Sequence, residues 1–230
     1  MSVYAVSDIH GEYDRFKKLL SLIRFSDQDE LYIIGDVIDR GPDGVPLLSA
    51  IMEDSRMHLI LGNHEYMCLQ YFSPNTAQTD LRRWNRNGNY HTLSGFDRLT
   101  PDERDRMLAF LTQLPDHAML CVNGRDYVLV HGFWANNTHD RVWNRPTLDT
   151  PPVFDAHTTL VIGHTPVCEY VCPGSDEDAY VCSRALTEQG DHFRILRTES
   201  FIDIDCCCGY GMSAGRLACL RLDDGAEFYA

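Results

Sequence analysis

The sequence predicts a layered α/β fold, and three observations carry that prediction. Short β-rich runs alternate with amphipathic helical segments. Polar residues gather just after five of those runs, each time beside a glycine. The length of 230 residues, 44% of them hydrophobic, is ample for one sizeable core without a second domain.

The first run, VYAV at 3–6, reads as a strand, and after it Phe16, Leu19, Leu20 and Ile23 fall on one helical face, the spacing of a helix that covers a sheet. LYIIG at 31–35 and HLILG at 58–62 are the next strands. A second helix begins at Thr100, with Pro101 in the first helical position, Glu103 three residues after the cap, and Met107, Leu111 and Leu114 facing inward. AMLCV and YVLV flank Asn123-Gly124, which predicts a hairpin closed by a short loop. TLVIG at 159–163 and ACLRL at 218–222 complete the strands. The stretch from about Pro173 to Asp191 is polar and acidic and reads as a surface excursion; no repeat, low-complexity tract or linker divides the chain.

Composition excludes several function classes. A formal charge of −14 repels polyanions and anionic lipid, so neither nucleic acid nor a membrane surface is an expected partner, and an anionic substrate needs a local positive site. No apolar run approaches the roughly 20 residues of a spanning helix. The opening MSVYAVSDIHGEYD lacks a basic region followed by an apolar core, so the cytoplasm is the expected compartment. Nine cysteines, an odd number that includes the run Cys206, Cys207, Cys208, read as reduced thiols. Cys168, Cys172 and Cys182 lack a C-x-x-C pair, and no zinc knuckle is expected.

The polar clusters are Asp8 and His10 after the first run, Asp36, Asp39 and Arg40 after the second, Asn63 and His64 after the third, then His131 and His164. In sheet-based α/β folds, ligands collect at the carboxyl ends of strands, where loops are free to carry chemistry. Each residue alone reads as a cap or turn former. As a set, two Asp, one Asn and three His make a mixed oxygen and nitrogen shell for two divalent metals, with Asp36 able to bridge them. Glu65 reads as a first-turn helix carboxylate facing the positive end of the dipole. Tyr66 and Trp143 read as packing residues, while Trp84, Asn85 and Asn87 fit either a cleft wall or a helix end packed on the sheet.

The motifs D-x-H-G at 8–11, G-D-x-x-D-R-G at 35–41, G-N-H-E at 62–65, H-G at 131–132 and G-H-T-P at 163–166 give a chain that resembles the calcineurin-like metallophosphoesterases. It looks most like their small bacterial and phage lambda-type serine/threonine phosphatases, with W-x-x-N-G at 84–88 and Trp143-Asn144-Arg145 extending the likeness. The resemblance implies a central pair of mixed β-sheets flanked by helices, in one domain over 1–230 with a mainly helical insertion around 66–117. It implies one metal held by Asp8, His10 and Asp36, and another by Asp36, Asn63, His131 and His164. Mn²⁺ is the expected pair, with Fe or Zn as alternatives. His64 would then protonate the leaving group, oriented by Asp39, and Arg40 and Arg145 would grip the phosphate, with Arg141 as a rival for the last role. The implied reaction is hydrolysis of phosphomonoesters on Ser/Thr phosphoproteins, or of small phosphoesters, by direct attack of a dimetal-bridging hydroxide. A symmetrical diadenosine tetraphosphatase is the alternative, and a non-catalytic phospho-binding module a third reading.

One stretch departs from the family pattern: IDIDCCCGYGMSAGRL stands where relatives carry Ile-Asp-Thr-Gly-Ala, so a thiol-rich loop is expected near the site. Its cysteines are read first as buried small hydrophobes, and second as oxidisable or metal-binding groups.

Overall fold

The structure, a computed structural model, describes residues 1–75 and 77–230. Its elements run β1 (Val3–Val6), α1 (Tyr13–Ile23), β2 (Glu30–Ile34), α2 (Gly44–Glu53), β3 (Met57–Ile60), α3 (Asn63–Phe72), α4 (Gln78–Arg86), α5 (Tyr90–Asp97) and α6 (Pro101–Thr112). The second half runs β4 (His117–Val122), β5 (Arg125–Val130), α7 (Thr138–Trp143), β6 (Thr158–Ile162), α8 (Cys168–Val171), α9 (Asp176–Glu188), β7 (Leu196–Arg197), β8 (Ile202–Asp203), β9 (Ala218–Arg221) and β10 (Glu227–Tyr229). Two mixed sheets result, one ordered β10-β9-β1-β2-β3 and the other β4-β5-β6-β8-β7. The strands β1, β2 and β3 are mutually parallel, as are β5, β6 and β8, and the residues just past their carboxyl ends meet across the two sheets, His131 against Asn63 and His164 against Asp8, at one rim.

Strand periodicity explains how the sheets are buried. Alternate residues point to opposite faces, and Ala5, Ile34 and Ile60 of the first sheet share a core with Leu129 and Val161 of the second. Tyr4, Val6, Leu31, Ile33 and Leu59 face the other way, onto a core completed by Phe16, Leu19 and Leu47 of the covering helices. Val128, Val130, Leu160 and Ile162 fill a third cluster behind the second sheet.

Local rules set the ends of the elements. Thr100 accepts from the Glu103 backbone N–H while the Glu103 carboxylate accepts from the Thr100 N–H, so α6 starts on a reciprocal capping box followed by Pro101. Asn123 and Gly124 both have positive φ, 51° and 79°, in a two-residue loop between Val122 and Arg125, the mirror-image turn that matches strand twist.

One expectation is refined and another corrected. The acidic stretch 173–191, read as a surface excursion, is mostly exposed and is built largely of one helix: Ser175 and Asp178 cap α9, and Ala179 and Ser183 are buried on its inner face. The cysteines are not all reduced thiols. Cys172 and Cys182 are joined, with Cα atoms 6.1 Å apart, because α8 and α9 fold back on each other; the other seven are free. Cys206, Cys207 and Cys208 are all buried, in accord with the reading of small core hydrophobes.

The core makes a direct prediction. Leu129→Ala, at a fully buried side chain between the sheets, should lower the unfolding free energy by about 2–5 kcal/mol in urea denaturation. Met119→Ala, on a side chain 59% exposed, should change it by less than about 0.5 kcal/mol.

Candidate active site

All ten residues singled out in the sequence lie at or beside the rim where parallel strands end. Asp8 and His10 follow β1; Asp36, Asp39 and Arg40 follow β2; Asn63 and His64 open α3 directly after β3; His131 follows β5 and His164 follows β6. Arg145 lies just beyond α7. The turns that carry these groups are tight: Asp8, His10, Asp36, Asp39, Arg40 and His164 all have φ between 48° and 71°. Such backbone is unfavourable for residues with a Cβ, by about 1 kcal/mol or more each, and persists only where surrounding bonds impose it.

Those bonds are present. Glu65, fully buried in the first turn of α3, accepts from the backbone N–H groups of Asp36 (2.8 Å), Val37 (2.9 Å), Ile38 (3.3 Å) and Gly62 (3.2 Å). Its helix position follows the sequence reading, but its partners do not: it clamps the loop after β2 to the loop after β3. Burial, then the nearby Asp36 carboxylate, push its carboxyl up to about 7, while the backbone amides pull the other way. At Gly62 a Cβ would sit 2.3 Å from Asp36 Oδ1, and at Gly209 one would sit 2.5 Å from His10 Cβ, so close approach fixes glycine at both.

Asp36 is the centre of the cluster. Its Oδ2 lies 3.6 Å from His10 Nε2 and 3.7 Å from His64 Nε2, and its Oδ1 lies 3.3 Å from His131 Nε2 and accepts from the His64 backbone N–H at 3.0 Å. Two groups of metal-competent side chains share it: His10, Asp36 and His64, and Asp36, His131 and His164. Asn63 Oδ1 is 2.9 Å from His131 Nε2, and Asp8 Oδ1 is 3.8 Å from His10 Nε2 while its Oδ2 accepts from the His164 backbone.

The histidine tautomers decide whether cations fit. His10 Nδ1 donates to the Ile38 carbonyl at 3.0 Å, His131 Nδ1 to the Ile34 carbonyl at 2.8 Å, and His164 Nε2 to the Trp143 carbonyl at 3.3 Å. Each ring spends its N–H on backbone and turns a lone pair inward, the arrangement of a metal-ligating imidazole. Among the described residues His10 Nε2 has no hydrogen-bond partner, although the residue is 1% exposed. Lone pairs aimed at carboxylates repel unless a positive charge lies between them, so the donor set fits divalent cations. At His131 a proton competes with a cation for the inward nitrogen: burial opposes protonation, but the Asp36 carboxylate outweighs it and pushes the ring up to about 10, which marks the same demand for positive charge. Burial, then the Arg40 cation, hold His10 well below the ordinary imidazole range.

His64 is bound differently. Its Nδ1 contacts Asp39 Oδ2 at 2.6 Å, and its Nε2 is 3.5 Å from the Arg40 guanidinium. Arg40 lies 4.2 Å over the Tyr210 ring, and its buried Nη1 has no hydrogen-bond partner among the described residues. Arg145 is ion-paired with Glu169 and its side chain is 41% exposed. Arg141 is committed elsewhere: its Nη1 reaches both oxygens of Asp116, at 3.0 and 3.1 Å, and its guanidinium lies over Trp134. Trp143, expected to pack, also borders the cluster, its ring 6.0 Å from that of His164. Trp84 is fully buried and donates to Asp39 Oδ2 at 2.6 Å, and Thr92 donates to Asp39 Oδ1 at 2.5 Å. Thr92 carried no signal of its own, but Trp84 stood in the quoted W-x-x-N-G stretch.

Two mixed sheets flanked by helices, with a metal-competent cluster at their common rim, define the metallophosphoesterase architecture. A family model described as calcineurin-like phosphoesterase matches residues 1–203, and the chain belongs to that family. A symmetrical bis(5'-nucleosyl)-tetraphosphatase of Nitrosospira multiformis is 34% identical over 134 residues, covering 57% of this chain and 43% of that protein. The chain thus matches less than half the length of that relative. Serine/threonine-protein phosphatase 1 of Salmonella typhimurium is 30% identical over 179 residues, covering 72% of this chain and 79% of that one. The crystal structure of a metallophosphoesterase from Sphaerobacter thermophilus has the same fold, with a TM-score of 0.58 at 17% identity over 100% of this chain and 86% of that one.

The Glu65 clamp is testable by stability. Glu65→Ala strands four backbone N–H groups, three of them on one loop, and should cost at least about 3 kcal/mol in urea unfolding. Glu65→Gln, which keeps one accepting oxygen, should fall between Ala and wild type.

Proposed function

We propose that this chain hydrolyses phosphate esters or anhydrides with two divalent cations, and that a symmetrical dinucleoside polyphosphate is its substrate. The observation that carries the hydrolytic reading is the carboxylate of Asp36, shared by two clusters of inward-facing histidines. The first cation is assigned to Asp8, His10 and Asp36, and the second to Asp36, Asn63, His131 and His164. His64 is kept off the metals because a guanidinium lies 3.5 Å from its Nε2, where a dication would be repelled. Mn²⁺ is the metal proposed, for a mixed oxygen and nitrogen shell. Such cations lower the pKa of water and neutralise charge growing on the phosphoryl oxygens.

The chain's own residues supply the rest. Arg40, whose buried Nη1 has no partner among the described residues, offers fixed donors to a phosphoryl oxygen, and Arg145, held at the mouth by Glu169, offers a second fork. His64 gives its Nε2 proton to the departing oxygen, and Asp39 on Nδ1 sets the ring's direction and favours its charged form. Two guanidinium groups at the rim offset the repulsion that a −14 chain exerts on a polyanion.

The dinucleotide substrate is favoured by the tetraphosphatase relatives. A phosphoprotein substrate is the second reading, favoured by the Salmonella typhimurium relative, whose length the match covers more fully. Among the described residues no helix is long and apolar enough to cross a membrane, and a cytoplasmic enzyme acting on soluble phosphoesters is proposed.

Metal-stripped protein restored with Mn²⁺ should cleave diadenosine tetraphosphate to two diphosphates, faster than it dephosphorylates a phosphoserine peptide; the reverse order selects the second reading. His64→Asn should lose at least about a hundredfold in kcat while binding two Mn²⁺ by calorimetry, and loss of metal instead would overturn the assigned roles. Asp36→Asn should lose both metals. Arg145→Ala should raise KM more than it lowers kcat, and Arg141→Ala should leave both near wild type.

A further inference from the structure

Besides α3, which carries His64, the helices α4 and α5 between β3 and β4 reach the site around Asp39. Its Oδ2 accepts from His64 Nδ1 and from Trp84 Nε1, both at 2.6 Å, and its Oδ1 accepts from the Thr92 hydroxyl at 2.5 Å. The same hydroxyl accepts from the Asp39 backbone N–H at 2.9 Å, and all four side chains are buried. Trp84 lies on α4 and Thr92 on α5. Between them, the Gly88 carbonyl accepts from the Arg40 N–H at 2.9 Å, which anchors the next residue along.

A carboxylate held by His64 alone can swing about its terminal torsion and carry the imidazole with it. With one oxygen fixed by an indole N–H and the other by a hydroxyl, that swing is lost, and the direction of His64 Nε2 is set by two helices far along the chain. We infer that Trp84 and Thr92 are positioning residues for protonation of the leaving group, acting through Asp39 on His64. This rests on the hydrolytic reading proposed above and adds a consequence to it. A water oxygen bonds to phosphorus and yields a proton to solvent as the bond from phosphorus to the leaving oxygen breaks; the electron pair of that bond goes to the leaving oxygen, which takes the Nε2 proton, and the imidazole regains its proton from solvent. An acidic phenol departs as its anion and needs little of that proton, whereas a basic leaving group depends on it. Misaiming the ring therefore penalises poor leaving groups more than good ones.

The test compares 4-nitrophenyl phosphate with phenyl phosphate in Mn²⁺-loaded wild type, Thr92→Val, Thr92→Ser and Trp84→Phe. In Thr92→Val and Trp84→Phe the kcat ratio of nitrophenyl to phenyl ester should rise about tenfold over wild type, a fraction of the full worth of a general acid. Thr92→Ser, which keeps the hydroxyl, should restore the wild-type ratio. In parallel, the Nδ1 proton of His64 should be sharp and far downfield by NMR in Zn²⁺-loaded wild type, and broadened in Thr92→Val. An unchanged ratio, or equal losses on both esters with the ring proton still sharp, would overturn the inference. A wild type that cleaves neither aryl ester nor diadenosine tetraphosphate would strike the hydrolytic reading itself, a result distinct from any pattern among the variants.

Discussion

The bond set on which the site depends is the grip of one buried carboxylate, Glu65, on four backbone amides. Those amides belong to the turns after β2 and β3, the turns that carry Asp36, Asp39, Arg40, Asn63 and His64. A buried N–H without a partner costs on the order of 1–3 kcal/mol, so the clamp offsets the strain of a loop in which Asp36, Asp39 and Arg40 all adopt left-handed backbone. Without it the turn would relax toward ordinary φ values, and the side chains would leave the positions that bring them together.

Rigidity here comes from layers of support. His10, His131 and His164 are each held by a backbone carbonyl, and Asp39 by an indole and a hydroxyl. Close contacts such as that of Gly209 against His10 leave no room for the loops to shift. Preorganisation of this kind places the reorganisation cost in folding and not in the reaction. It also explains the burial of so many polar groups at one edge of the core, each of which would be costly alone.

Much of this was legible in the sequence, for a physical reason. Apolar runs such as LYII and HLIL ended abruptly in Asp, Asn and His beside glycine, and strands with one rim in common bring such endings together wherever they fall along the chain. What was hidden had no local pattern. Thr92 meets Asp39 across 53 positions as a single hydroxyl on a helix. Glu65 was placed on the correct helix turn, yet its partners belong to another loop. The acidic residues of α9 masked an inner face made of Ala179 and Ser183, and β7 and β8, two residues each, are too short for periodicity to register. Counting cysteines missed the Cys172–Cys182 link, because parity says nothing about which two meet.

The second cation proposed here draws its ligands from both halves of the sandwich. Asp36 and Asn63 hang from the first sheet, His131 and His164 from the second, and the His131 ring already crosses the gap to the Ile34 carbonyl. An ion bound there would fasten two β-layers at their open lip, so occupancy and layer docking become linked equilibria. Ion affinity would then report on the seam between the sheets, and a mutation buried deep in that seam would weaken ion capture without touching a single ligand.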